Sequence, residues 1–121
     1  MGTGEGNQYY RTKGASGQAT CGGRIKATDF LPGELAGHFD RHGKEFGDAD
    51  EKKYLSRARD FFNKPVTNDI LWFEDVDGYL YKYDKKRREF GICSPEGAIV
   101  TYFKPDRGIN YWIDEVMKHG Q

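Results

Sequence analysis

The run ILWFEDVDGYLYKYDKKRREFGICSPEGAIVTYFK, residues 70–104, decides the fold. It breaks into four β-like segments: Ile70 to Asp75, Tyr79 to Asp84, Glu89 to Cys93 and Ala98 to Lys104. Each is rich in β-branched or aromatic residues and is bounded by turn formers. Asp77-Gly78 predicts a tight type I′ hairpin, and Ser94-Pro95-Glu96-Gly97 predicts a longer turn. Short turns between consecutive strands force antiparallel pairing, so the expectation is a four-stranded meander.

Outward from this run the periodicity changes from two to about 3.6. Upstream, Leu35, Phe39, His42 and Phe46 recur on one helical stripe, with His38 at its edge, and Gly43 ends or weakens that helix. Asp48 reads as the cap of a second helix, with Glu51 at its third position. In that helix Tyr54, Leu55, Ala58, Phe61 and Phe62 fall on one face, and Asn63-Lys64-Pro65 stops it. Downstream, Ile109, Trp112, Ile113, Val116 and Met117 form a third helical stripe.

The expected fold class is α+β: two N-terminal helices, a four-stranded antiparallel meander sheet and a C-terminal helix. A sheet covered by helices on one face leaves the other partly open, and a site is expected on that open face. Residues 1–30 hold seven of the 16 glycines with almost no apolar periodicity, and read as a Gly-rich lead or linker before a domain spanning 31–121.

At 121 residues without an internal repeat, the chain suits one modest core. Aromatic residues make up 15% of it, so large rings are expected to fill that core. No apolar run approaches the roughly 20 residues of a membrane helix. The 19 Lys and Arg balance 19 Asp and Glu, so any polyanion-binding surface has to be a local patch rather than a property of the whole chain. Two cysteines, Cys21 and Cys93, are too few for a disulfide scaffold, and Cys93 in a β-like run reads as a packed thiol.

Three segments carry candidate chemistry. In GHFDRHGKEFG, residues 37–47, His38 and His42 lie four apart, yet the residues between them do not make an HExxH zinc motif and no third ligand is evident. No metal or other cofactor is expected. The two imidazoles are then either packing residues or acid/base groups. His42, on the apolar stripe, reads as the packing member, and His38, nearer the edge, as the preferred proton-transfer group.

In the hairpin, Tyr79, Tyr81 and Tyr83 alternate with Leu80, Lys82 and Asp84, ahead of the basic tip Lys85-Lys86-Arg87-Arg88. Tyrosines beside cations suit stacking on unpaired bases and gripping phosphates, although a solvated hairpin tip is the plainer reading. In the last strand, Ile99, Thr101 and Phe103 are expected on one face, and Val100, Tyr102 and Lys104 on the other. Metal-independent RNA cleavage needs a base, an acid and cations around the phosphate. His38 or His42 can exchange protons, Lys82 or Lys104 can stabilise charge, and Thr101 or Tyr102 can donate hydrogen bonds.

Taken together, GHFDRHGKEFG, YKYDKKRREFGICSPEG and AIVTYFKPDRGINYW resemble the C-terminal nuclease domain of polymorphic bacterial toxins. That family includes contact-dependent growth inhibition toxins and phage-associated nucleases of the barnase, EndoU, colicin and RelE group. The resemblance covers about residues 34 to 112, with its blocks in the family order. It implies a metal-independent ribonuclease, often acting on tRNA. It also implies delivery as the tip of a larger secreted or cell-surface protein, action in the target-cell cytoplasm, and a cognate immunity protein. By position it singles out His38, His42, Lys82, Thr101, Tyr102 and Lys104. An arginine is frequent in the family where Lys82 stands, and lysine lacks its two-pronged grip on phosphate. The identity of the RNA, the bond cut and any host factor are not specified by these residues. The alternative from another class is a noncatalytic RNA- or protein-binding module of phage or toxin origin.

Overall fold

The computed structural model describes residues 27–47 and 50–120. The chain is α+β. The described elements are β1 (Asp29–Phe30), α1 (Leu35–His42), a 3-10 turn (Gly43–Phe46), α2 (Glu51–Asn63), β2 (Ile70–Glu74), β3 (Leu80–Asp84), β4 (Glu89–Cys93), β5 (Ala98–Phe103) and α3 (Ile109–His119). Strands β2 to β5 pair antiparallel in succession, which is the expected meander. The sheet has five strands rather than four, because β1 pairs parallel to the outer edge of β5, giving the order β1-β5-β4-β3-β2. Most of the expected lead, residues 1–26, lies outside the described residues, but its end supplies β1. Asn63 fastens this entry point: its side chain accepts from the Ala27 amide at 3.0 Å and donates to the Ala27 carbonyl at 3.2 Å.

Local signals explain most boundaries. The expected cap Asp48 lies outside the described residues. Asp50 caps α2 instead, its carboxylate accepting from the Lys53 amide at 2.9 Å. Only Gly78 has a positive φ, of 87°, in the β2–β3 turn, so the expected type I′ hairpin at Asp77-Gly78 is not formed. Asp75 takes over: its side chain accepts from the amides of Asp77 and Tyr79, and its carbonyl from Gly78. The longer turn after β4 is present. There Ser94 Oγ accepts from the Ala98 amide at 3.0 Å, and Gly97 takes a φ of 95°.

Both faces of the sheet are covered, which overturns the expected open face. On one side α2 lays Tyr54, Ala58, Phe61 and Phe62 against Trp72, Leu80, Cys93, Ile99 and Tyr102. On the other, α3 lays Trp112 and Val116 against Leu71, Phe73, Tyr81, Tyr83 and Phe90. Tyr81 and Tyr83 therefore belong to the core beneath α3 and are not available as a base-stacking platform. Cys93 is disulfide-bonded, so it is not the free packed thiol its surroundings suggest.

The face assignment expected for the last strand also changes. Ile92 pairs with Thr101, but the next residue, Cys93, pairs with Ile99, so Val100 is the extra residue of a bulge. Ile99 and Tyr102 consequently share the α2 core, while Phe103 packs with the α3 core.

Lys82 sits in the α2 core opposite Trp72 and is fully buried. Its Nζ donates to the carbonyls of Phe62 (3.2 Å) and Lys64 (3.0 Å), the orphan acceptors at the end of α2. The lysine expected to hold phosphate is thus a helix-to-sheet fastener. Burial lowers its pKa to about 7, helped by the Lys64 charge and opposed by Asp84.

Two outcomes follow. A Cβ on Gly91 would stand 2.4 Å from the Phe62 ring and 3.0 Å from Phe61. Gly91→Ala should therefore lower stability by about 1–3 kcal/mol in urea denaturation, the usual cost of overpacking. For Lys82, the unfolded chain holds the proton up to about pH 10.5 while the folded chain releases it near pH 7. The unfolded state binds more protons in between, so stability should climb as pH rises from 7 towards about 9.5. Lys82→Met should flatten that climb, and an unchanged slope would assign it to other groups.

Candidate active-site cleft at the end of the sheet

With both sheet faces filled, exposed polar groups gather at the end of the sheet around the β3–β4 turn, beside α2 and the segment after β5. Asp84 builds the turn. Its carboxylate accepts from the amides of Lys86 (2.9 Å) and Arg87 (3.0 Å) and from Lys64 Nζ (2.5 Å). Burial raises the Asp84 pKa, but these donors outweigh it and hold the carboxyl below its ordinary value. Arg88 completes the turn with a φ of 60°. The result is a fixed loop with Lys85, Lys86, Arg87 and Arg88 all exposed.

Two pockets adjoin at Arg87. One, of about 440 Å³, is lined by the cations Lys53, Arg57, Lys64 and Arg87 and by the acidic Asp60 and Glu89. The other, of about 430 Å³, lies among Glu45, Arg87, Arg88, Lys104 and Asp106. Cations from α2, the turn and the segment after β5 thus line two pockets that share Arg87, although the net charge of the chain is zero.

The burial of the two histidines is the reverse of the expectation. His38 is buried, 8% exposed, with its ring 5.1 Å from that of Phe30. Burial lowers its pKa, aided by Arg41 and His42 and opposed by Glu34. Its Nε2 lies 3.8 Å from Glu34, and its Nδ1 is enclosed without a hydrogen-bond partner. His42 is the more open ring. It stacks on Phe103 at 5.1 Å, and its Nδ1 is 2.8 Å from Glu45 Oε2. The helical stripe misplaces them because α1 ends at His42 and the chain tightens into a 3-10 turn.

Glu45 is the joint of this arrangement. Its Oε1 accepts from the Lys104 amide at 2.8 Å while Oε2 holds His42, so one carboxylate ties the end of α1 to the end of β5. A carboxylate on Nδ1 fixes the imidazole's orientation and favours the tautomer with Nε2 as acceptor. Lys104 Nζ lies over the Phe46 ring at 5.4 Å. The first helix and the TYFK strand thus do meet, through Glu45 and Phe103.

Other expected site residues are elsewhere. Tyr102 is fully buried under α2, stacked 4.7 Å from Phe46, with its carbonyl accepting from the Tyr54 hydroxyl. Burial raises its phenol pKa well above the ordinary value, and the neighbouring Glu89 charge raises it further. Thr101 is half-buried opposite Ile92. With Lys82, these residues support the strand rather than line the cleft. Glu45 and Glu89 are the groups sequence reasoning missed. The i, i+3 spacing of His42 and Glu45 was the available signal for the first. For the second it was an acidic residue at an inward strand position.

Among the described residues, no group of three or more His, Cys, Asp or Glu side chains is arranged to hold a metal ion, and no helix is long and apolar enough to cross a membrane. No protein-family model matches the chain, and no curated protein matches it by sequence.

Proposed function

We propose that the chain is a metal-independent ribonuclease that works at this cleft as the toxic domain of a larger delivered bacterial protein. The observation that carries the reading is the His42–Glu45 pair fixed to Lys104 beside a depression lined by Arg87 and Arg88. An oriented imidazole next to clustered cations is suited to moving a proton at a phosphodiester while its developing charge is neutralised. His42 is the proton-transfer group, Glu45 orients it, and Arg87, Arg88 and Lys104 hold phosphate.

The resemblance stated for the sequence blocks supports the finer parts of the proposal. These are a fold of the barnase, EndoU, colicin and RelE group, tRNA as the substrate, action in the target-cell cytoplasm, and a cognate immunity protein covering the cleft. The exposed basic turn suits both an RNA backbone and an acidic protein partner. A noncatalytic RNA-binding module would use the same cations and leave the RNA intact.

Purified protein incubated with total RNA in EDTA should generate discrete fragments, and intact RNA at high protein concentration would remove the ribonuclease reading. His42→Ala should slow cleavage by about 10²–10⁴-fold, the usual contribution of one acid/base group, with the folded state retained by circular dichroism. Cleavage at the unmodified rate would take His42 out of the mechanism.

A further inference from the structure

The two imidazoles of α1 stand 6.3 Å apart in surroundings of opposite kind. His42 has Glu45 2.8 Å from its Nδ1, so a proton there meets a carboxylate. His38 faces the ring of Phe30 in β1 at 5.1 Å instead, and that ring lies 5.6 Å from Tyr54 of α2. The His38 Nδ1 is buried without a hydrogen-bond partner among the described residues, and its Nε2 is 3.8 Å from Glu34, beyond hydrogen-bond reach. The element it leans on is slight. β1 has two residues, and its pairing to β5 is flanked by the Thr28 amide donating to the Gly97 carbonyl (3.2 Å) and the Leu31 amide to the Ile99 carbonyl (3.0 Å). A short edge element of this kind opens at lower free-energy cost than the strands it borders.

We infer that His38 is an acid-sensitive latch between α1 and β1: neutral, it seals Phe30 against the helix, and protonated, it leaves that contact and frees the strand through which the chain enters the domain. The inference goes beyond the ribonuclease reading and does not depend on it. No covalent bond of the protein backbone or side-chain framework changes; one proton passes from solvent to the imidazole. A buried charge without a partner is costly, and release to water removes that cost.

The groups around His38 set the sign. From β1 it meets the apolar Phe30, while the Asp29 carboxylate is turned to the Phe30 amide at 2.7 Å. From α2, Tyr54 stands behind Phe30. Phe103 of β5 and Glu45 of the 3-10 turn are applied to His42. Burial holds the His38 imidazole below its ordinary value of 6.5, with Arg41 and His42 adding like charge and Glu34 opposing them. The folded pKa thus lies below the unfolded one, and between the two the released form binds more protons. The latch is at full strength above about pH 6.5 and weakens as pH falls through the folded value. Leu35 and Phe39 keep α1 packed on the α2 core, so the loss falls on β1.

Amide hydrogen exchange of the full chain, followed by NMR from about pH 7.5 to about pH 4.5 and corrected for intrinsic rates, tests the latch across the histidine range. The Thr28 and Leu31 amides should lose protection below about pH 6.5, by up to about tenfold per pH unit, the limit for one proton. Amides of the central strand β4 should keep theirs, and a parallel loss in β4 would mean global acid unfolding and overturn the inference. His38→Phe retains a ring against Phe30 and takes no proton, so the acid loss at Thr28 and Leu31 should disappear; an unchanged loss overturns the inference. If His38→Phe does not fold by circular dichroism, the unmodified protein still decides. Its His38 Cε1–H resonance should titrate below about pH 6.5 in step with Leu31 protection, and titration at or above that value overturns the latch. Glu34→Gln removes the opposing charge and should enlarge the acid loss, whereas a smaller loss than in the unmodified protein would count against it.

Discussion

Two-sided burial of the sheet is the constraint from which the rest follows. Because α2 and α3 each lay aromatic side chains across one face, every central strand has to supply apolar atoms in both directions. That leaves no sheet surface for chemistry, so the polar groups converge where the strands end. The cleft is therefore made of residues from the β3–β4 turn, one face of α2 and the strand ends, held in place by a sheet that contributes little of its own surface.

Two carboxylates make that convergence rigid. Asp84 gathers two turn amides and the Lys64 ammonium, which fixes the basic loop to the end of α2. Glu45 does the equivalent for α1 and β5. Between them lie ring contacts that continue into the core: Phe46 on Tyr102, His42 on Phe103, and Phe103 on Tyr111. The cations thus sit on a frame joined to the most deeply buried residues, and a group that must be accurately placed gains from such backing.

The meander and the three helices were legible because their periods are local properties of the chain. Turns at Asp77-Gly78, Lys85 to Arg88 and Ser94 to Gly97 separated four strands, and apolar stripes at helical spacing marked α1, α2 and α3. The fifth strand was not legible, since two residues of β1 are held by pairing with β5 rather than by their own pattern. The site was read in part. The basic turn was visible in the residues. Which histidine opens to solvent depended on where α1 gives way to a 3-10 turn. Lys82 looked like a surface cation because strand alternation says only that it faces away from Tyr81, not that a helix covers that side.

The bulge at Val100 sets the parity of everything after it. In a strand, facing direction is counted in twos, so one extra residue inverts the facing of those beyond it relative to a regular ladder. Here the inversion delivers Phe103 to the ring of His42 on one side while keeping Tyr102 beneath α2 on the other. Single-residue length changes between Cys93 and Lys104 are consequently a different kind of event from substitutions at the same positions. A substitution alters one contact, whereas a length change exchanges inside for outside along the strand and disconnects helix from cleft in one step.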